Sequence, residues 1–442
     1  MMPEKNTAGN TISILEALLL LFVFVMPLWP RYAMLYFQGL PDINLTRALF
    51  IVLLYAWLGY LLITRGEGLL RVREIIRSNR AVFTAFAVFL FFRYASILRS
   101  PNKIGSLFSV TNEFITCFLF LLMVVEILRT TGQIVRIMIV MVASCIVVSL
   151  FGIYEAYAGY NVLGQILPVP TNTVAEALAQ KYRHGYRIQS TFENPLSLAE
   201  YLAFIIPIAG FFAWKHHHAL IRLMGAFSVM FAAAAIWFTQ SRGAWVALMM
   251  SGFAFIAFAL LRRFQGRTAF RSKMLYASFV PLVLHLVLAS SLVVAKVTIG
   301  RTTEETQSTL GRVGQIKAAV PYVVKSPLGL GPKATGLDVS WHRSSIDNYY
   351  LALALESGPF ALIAFLYALI RLLKEGRQLA ARSDEFDRAV AGSIGLSIVS
   401  IATFMIVLAI KEALPFLFLA FGLLLSLKQT RSGPDRKEVA VP

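Results

Sequence analysis

The sequence predicts an all-α, polytopic integral membrane protein of about twelve transmembrane helices with two long outer connections. Three observations predict it. The chain of 442 residues is 58% hydrophobic and only 14% charged, with a mean hydropathy of +0.69. Soluble domains are about 45–50% apolar by the same kind of count. The excess falls in blocks of roughly 17–25 residues, the length that crosses about 30 Å of hydrocarbon. Such blocks are helical because a lipid-exposed backbone must satisfy its own hydrogen bonds.

In chain order the apolar blocks lie near residues 12–30, 45–63, 81–98, 105–127, 137–158, 196–214, 223–240, 244–261, 275–295, 349–373, 389–410 and 414–427. The first, ISILEALLLLFVFVMPLWP, is too long for the apolar core of a cleavable signal and lacks a small-residue cleavage site. The last is short. The expected layout is helices 1–5 over 1–158, an outer loop over 159–195, helices 6–9 over 196–295, a second outer loop over 296–348, helices 10–12 over 349–427, and a tail over 428–442. No internal repeat suggests an inverted-repeat transporter.

The net charge of +18 would suggest nucleic acid in a soluble protein. Here the basic residues sit in alternate short loops, and no nucleic-acid partner is expected. RGEGLLRVREIIRSNR (65–80), RTTGQIVR (129–136), KHHHALIR (215–222), RRFQGRTAFRSK (262–273) and RLLKEGRQLAARSDEFDR (371–388), with both termini, hold more than half of the 41 Lys and Arg residues. This bias assigns that side, and both termini, to the cytoplasm. Cys117 and Cys145 lie inside apolar blocks, which argues against a disulfide framework or a thiol-ligated metal. The adjacent His216, His217 and His218 cannot easily converge on one ion, and His285 reads as a packed residue.

The outer-side cations are not explained by topology. Lys181, Arg183, His184 and Arg187 cluster in KYRHGYRIQSTFENP. The second outer loop adds Lys296, Arg301, Arg312, Lys317, Lys325, Lys333 and Arg343. In that loop TLGRVGQIKAAVPYVVK predicts an amphipathic helix, with Leu310, Val313, Ile316 and Val320 at helical spacing and Pro321 limiting its extension. Arg242, in QSRGAW (240–245), sits at the tip of an outer two-helix hairpin against the positive-inside trend. A planar guanidinium donates two hydrogen bonds to phosphate oxygens, so this surface suits a diphosphate as well as membrane lipid headgroups. Arg93, Glu113 and Glu155 lie in or near the ends of spans and are expected to face the bundle interior. Arg93 with Glu113 is the expected structural pair.

SWHRSSIDNYYLALALESG (340–358) places His342, Arg343 and Asp347 just before a span that contains Glu356. Asp347 and Asn348 fit a helix N-cap. Asp347 equally fits a general base for glycosyl transfer, with Arg187 and Arg242 stabilising a departing phosphate and His342 as the alternative base.

RIQSTFENP (187–195), QSRGAW, SPLGLGP (326–332) and DNYYLALALESGP (347–359) together resemble the O-antigen ligase and polymerase superfamily over roughly residues 180–360. The resemblance implies a GT-C-type glycosyltransferase of the bacterial inner membrane, with both termini cytoplasmic, two long periplasmic loops and a periplasmic active site. It implies an undecaprenyl-diphosphate-linked glycan donor, a lipid A–core or glycan acceptor, and no metal or nucleotide cofactor. The family arginines that hold the diphosphate fall on Arg187 and Arg242, with Arg183 and Arg343 beside them. Asn348 and Gly358 keep the spacing of the family's last motif, but Asp347 occupies its histidine position. That leaves the base role to Asp347 or His342, with Asn348 and Glu356 in support, and leaves ligase and exopolysaccharide or O-antigen polymerase both open. A secondary transporter or lipid flippase is the reading from another class, disfavoured because the ionisable groups cluster at one face.

Overall fold

The computed structural model describes residues 4–30, 32–34, 43–64, 66–166, 186–263, 303–332, 346–409 and 411–432. Among them every extended regular element is helical: α1 (Glu4–Leu28), α2 (Leu45–Ile63), α3 (Glu67–Ser78), α4 (Arg80–Ala95), α5 (Lys103–Ile127), α6 (Thr131–Ala158), α7 (Val162–Ile166), α8 (Pro195–Lys215), α9 (Ala219–Thr239), α10 (Arg242–Arg263), α11 (Thr303–Lys325), α12 (Tyr349–Arg382), α13 (Glu385–Phe404) and α14 (Leu414–Ser432). A π-helical turn, Phe114–Leu119, interrupts α5. Local chemistry fixes many of the ends. Asn44, Thr130, Asn194, Asn348 and Asp384 each accept a backbone N–H from the first turn they precede. Gly159, at φ 76°, closes α6 in the left-handed region.

Nine helices among the described residues are long and apolar enough to cross a membrane: α2, α4, α5, α6, α8, α9, α10, α12 and α13. Two further expected blocks are helices of a different character. The apolar part of α1, Ile12–Leu28, is shorter. The 414–427 block continues as α14 into Lys428 and Arg431, and its residues from Phe416 to Leu427 are buried. A helix that is apolar all round and enclosed by protein forms a core rather than a lipid-facing wall. The expected block 275–295, with His285, lies outside the described residues. The amphipathic helix expected up to Pro321 runs through it to Lys325. Pro321 is exposed there, and the helix tolerates the lost donor.

Within the bundle, α8 packs on α9 and α13, α12 on α4 and α13, and α14 on the second half of α5. The basic loops meet at one end. Arg129 Nη2 donates to Tyr60 Oη at 2.8 Å, Lys428 Nζ to Asn79 Oδ1 at 2.9 Å, and Lys215 Nζ to Glu385 Oε1 at 2.6 Å, while Arg431 pairs with Asp384 and Asp387. The segments carrying the candidate site residues lie at the opposite helix ends.

One buried ion cluster ties the middle of the bundle together. Arg93, 1% exposed, donates through Nη2 to Glu113 Oε2 at 2.5 Å and through Nη1 to Glu356 Oε2 at 2.7 Å and Ser357 Oγ at 2.9 Å. The expected Arg93–Glu113 pair is therefore present, and Glu356 of α12 completes it. Directly after Glu356 and Ser357, α12 breaks at Gly358 (φ 84°, ψ 167°), followed by Pro359. The break releases backbone carbonyls, and the loop 326–332 takes them up. Leu330 N donates to Leu355 O at 2.8 Å and Gly331 N to Glu356 O at 3.0 Å. A Cβ at Gly358 would collide with the Pro327 carbonyl, and one at Gly329 with the Glu356 backbone. Glycine is required at both positions because two backbones touch there.

Two outcomes are expected. Arg93→Met leaves buried carboxyls without their cation and should cost about 3–5 kcal/mol. Thermal unfolding of the detergent-purified protein measures it, and a loss under about 1 kcal/mol would show that the cluster does not hold the bundle. For sidedness, with Cys117 and Cys145 replaced, a cysteine at exposed Lys317 should react with an impermeant maleimide on intact spheroplasts, and one at exposed Gln378 should not. The reverse pattern would invert the orientation read from loop charge.

Candidate functional site

Three segments converge at the end of the bundle opposite the basic loops. The first, 186–194, is shaped by Glu155 in the last turns of α6. Glu155 accepts from Tyr186 Oη at 2.7 Å, from Gln189 N at 3.2 Å and from Ser190 N at 2.5 Å. Ser190 sits at φ 51°, a left-handed backbone that costs a side-chain-bearing residue about 1–2 kcal/mol. Its surroundings over-determine it. Ser190 O accepts from Tyr32 Oη and Asn161 Nδ2, both at 2.9 Å, and Ser190 Oγ donates to Val148 O at 2.9 Å. Burial pushes the Tyr32 phenol above its ordinary pKa, which keeps it a donor. Thr191 Oγ1 adds a bond to Pro27 O at 2.6 Å.

This turn delivers Arg187, half-buried, to the end of α9. Its Nε donates to Thr239 O at 2.9 Å, and Ile188 N approaches Phe238 O at 3.5 Å. A cation at a helix C-terminus is favourably placed against the helix dipole. The second segment follows at once. Gln240, at φ 53°, reverses the chain, and Arg242 begins α10. Gly243 lies so close to Val407 that a Cβ there would press on its side chain.

The third segment begins α12. Asn348 is the N-cap, its Oδ1 accepting from Leu351 N at 3.0 Å. Asp347 stands one residue outside the cap, half-buried, with its backbone N–H donating to Gln315 Oε1 at 3.0 Å. The choice between Asp347 and Asn348 as the capping residue thus falls to Asn348. Tyr349 N donates to Met405 O at 2.9 Å, and Tyr350 Oη to Ala402 O at 2.7 Å.

Two shared anchors bring the candidates together. Thr239 joins the Arg187 and Arg242 segments, and the 402–407 end of α13 joins the Arg242 and Asp347 segments. Glu356 lies deeper along α12 and is turned to Arg93. Arg183, His342 and Arg343 fall outside the described residues, as do Lys181 and His184. Among the described residues, no group of three His, Cys, Asp or Glu side chains is arranged to hold a metal ion.

Sequence reasoning missed two contributors. Glu155 was expected to face the bundle interior and is buried there, but its partners, a tyrosine and backbone N–H groups from 31 to 35 residues further on, were not foreseen. Gln315 carried no signal at all, being one uncharged polar residue in an amphipathic helix.

The fold defines a class, an integral membrane protein, and this end of the bundle joins the segments that carry Arg187, Arg242 and Asp347. Residues 227–366 match the O-antigen ligase family, and this match supports the resemblance to the O-antigen ligase/polymerase superfamily; members of the matched family are membrane glycosyltransferase-like enzymes. The match takes in the hairpin tip, α11, the 326–332 loop and the broken half of α12. Arg187, Arg93 and Glu155 lie outside it. Among curated proteins, none matched the chain.

Proposed function

We propose that this protein is a glycosyltransferase that moves a glycan from an undecaprenyl-diphosphate-linked donor to an acceptor hydroxyl at the periplasmic face of a bacterial inner membrane. The reading is carried by the convergence of the Arg187, Arg242 and Asp347 segments through Thr239 and the end of α13. In this reading the acceptor oxygen attacks the anomeric carbon and its proton passes to Asp347. The bond from that carbon to the diphosphate oxygen breaks, and the electron pair leaves with undecaprenyl diphosphate. Arg187 and Arg242 meet the growing charge on the phosphates, where a planar donor fork serves best. The chemistry requires neither a metal nor a nucleotide. A lipid A–core acceptor makes the enzyme an O-antigen ligase, and a second lipid-linked glycan makes it a polymerase.

Because Asn348 caps α12, the change Asp347→Asn leaves the cap intact and removes only the proton acceptor. Turnover with purified enzyme and lipid-linked donor should fall by about 10²–10⁴-fold, the usual contribution of a positioned base, while donor binding is kept. A nearly silent Asp347→Asn would remove Asp347 from the chemistry and move attention to His342. In the same assay Arg242→Ala should abolish transfer, and Arg242→Lys should restore it only in part, since a point charge does not reproduce a two-bond contact. Near-normal transfer by Arg242→Ala would end the diphosphate assignment.

A further inference from the structure

The outer-loop helix α11 is held against α12 at two places. Its C-terminal continuation, the loop 326–332, is bonded to the carbonyls of Leu355 and Glu356 beside the Gly358 break. Eleven residues before that loop begins, Gln315 reaches the backbone of Asp347. Between these points Ala319, fully buried, packs with Ile346 and Leu355, with Tyr322, Leu351 and Ala352 around them. The apolar stripe of this helix faces away from the rest of the protein. Val313, Ile316, Val320 and Val324 are 45–76% exposed, while Gln315 on the inner face is 4% exposed. An uncharged amide is thus buried where these four apolar residues of the same helix are not.

Burying a carboxamide costs free energy unless its polar atoms are bonded, so the bond it makes is informative. The N–H of Asp347 precedes the helix and has no acceptor within α12. Gln315 Oε1 supplies one, across 32 residues of sequence. Fixing that N–H fixes the peptide plane from which the Asp347 side chain departs. We propose that Gln315 is a positioning residue for Asp347, holding its carboxylate toward the acceptor hydroxyl. The inference rests on the base role proposed for Asp347. It adds that α11 is the part of the outer loop that sets the base, with its far end locked by the glycine-rich loop.

The test uses Gln315→Met, of similar length but without an acceptor. Steady-state kinetics use purified enzyme and lipid-linked donor, beside folded yield and thermal unfolding. Gln315→Met should lower kcat by about 10–100-fold, the scale of a misplacement near 1 Å, with the donor KM within about twofold. In an Asp347→Asn background, Gln315→Met should cost nothing further, because the two changes remove one function. Parental kcat in Gln315→Met, a loss carried by KM, or full additivity with Asp347→Asn would each overturn the proposal. If Asp347→Asn alone is fully active, the base role itself fails. If Asp347→Asn is inactive and Gln315→Met is not, only the positioning role fails.

Discussion

Arg93 and its two carboxylates are the constraint on which the rest of the structure depends. A lone cation deep in a membrane bundle is costly by about 2.5–3.5 kcal/mol or more on insertion scales, so its partners must be in place together. Those partners come from α5 and α12, and the bond to Glu356 spans 263 residues of sequence. Holding Glu356 and Ser357 fixes the residues just before the Gly358 break. The break frees the carbonyls that the 326–332 loop needs, and that loop fixes one end of α11. The other end of the contact is Gln315, next to Asp347. A single internal charge cluster is thus linked by a short chain of named bonds to the end of the bundle where Asp347 stands.

The two arginine-bearing segments share a second device. Each contains a non-glycine residue in the left-handed region, Ser190 before α8 and Gln240 before α10. Strained backbone persists where surrounding bonds over-determine it, and Ser190 illustrates how. Its carbonyl, hydroxyl and amide are all engaged by groups from other parts of the chain. The turn is therefore held by bonds from several parts of the chain, and the Arg187 side chain leaves from a fixed backbone.

Much of this was legible in the sequence, for physical reasons that can be named. Block length and loop charge gave the helical membrane fold, since both follow from solvation alone. The Arg93–Glu113 pair was visible because two opposite charges in adjacent spans have few other partners. The glycine-rich SPLGLGP and the Asn348–Gly358 spacing stood out because backbone contacts of this kind tolerate no side chain. Other features left no trace. The enclosed position of α14 depends on what surrounds it. The outward turn of the α11 stripe was not legible either, because amphipathicity gives a helix two faces but does not say which one meets protein. Glu155 and Gln315 bond to backbone groups, and a backbone N–H has no letter in the sequence.

The helix break at Gly358 also bears on what kind of unit the matched region is. Residues 227–366 contain the hairpin tip, the glycine-rich loop and the broken helix, yet the cation that neutralises Glu356 is Arg93, and the carbonyl that receives Tyr349 N belongs to Met405. Excised from the chain, this stretch would hold a buried carboxylate with no cation and a helix start with no seat. It is a unit of descent but not a unit of folding. Any exchange of this stretch between relatives must carry over the acceptors and the charge on both sides of it.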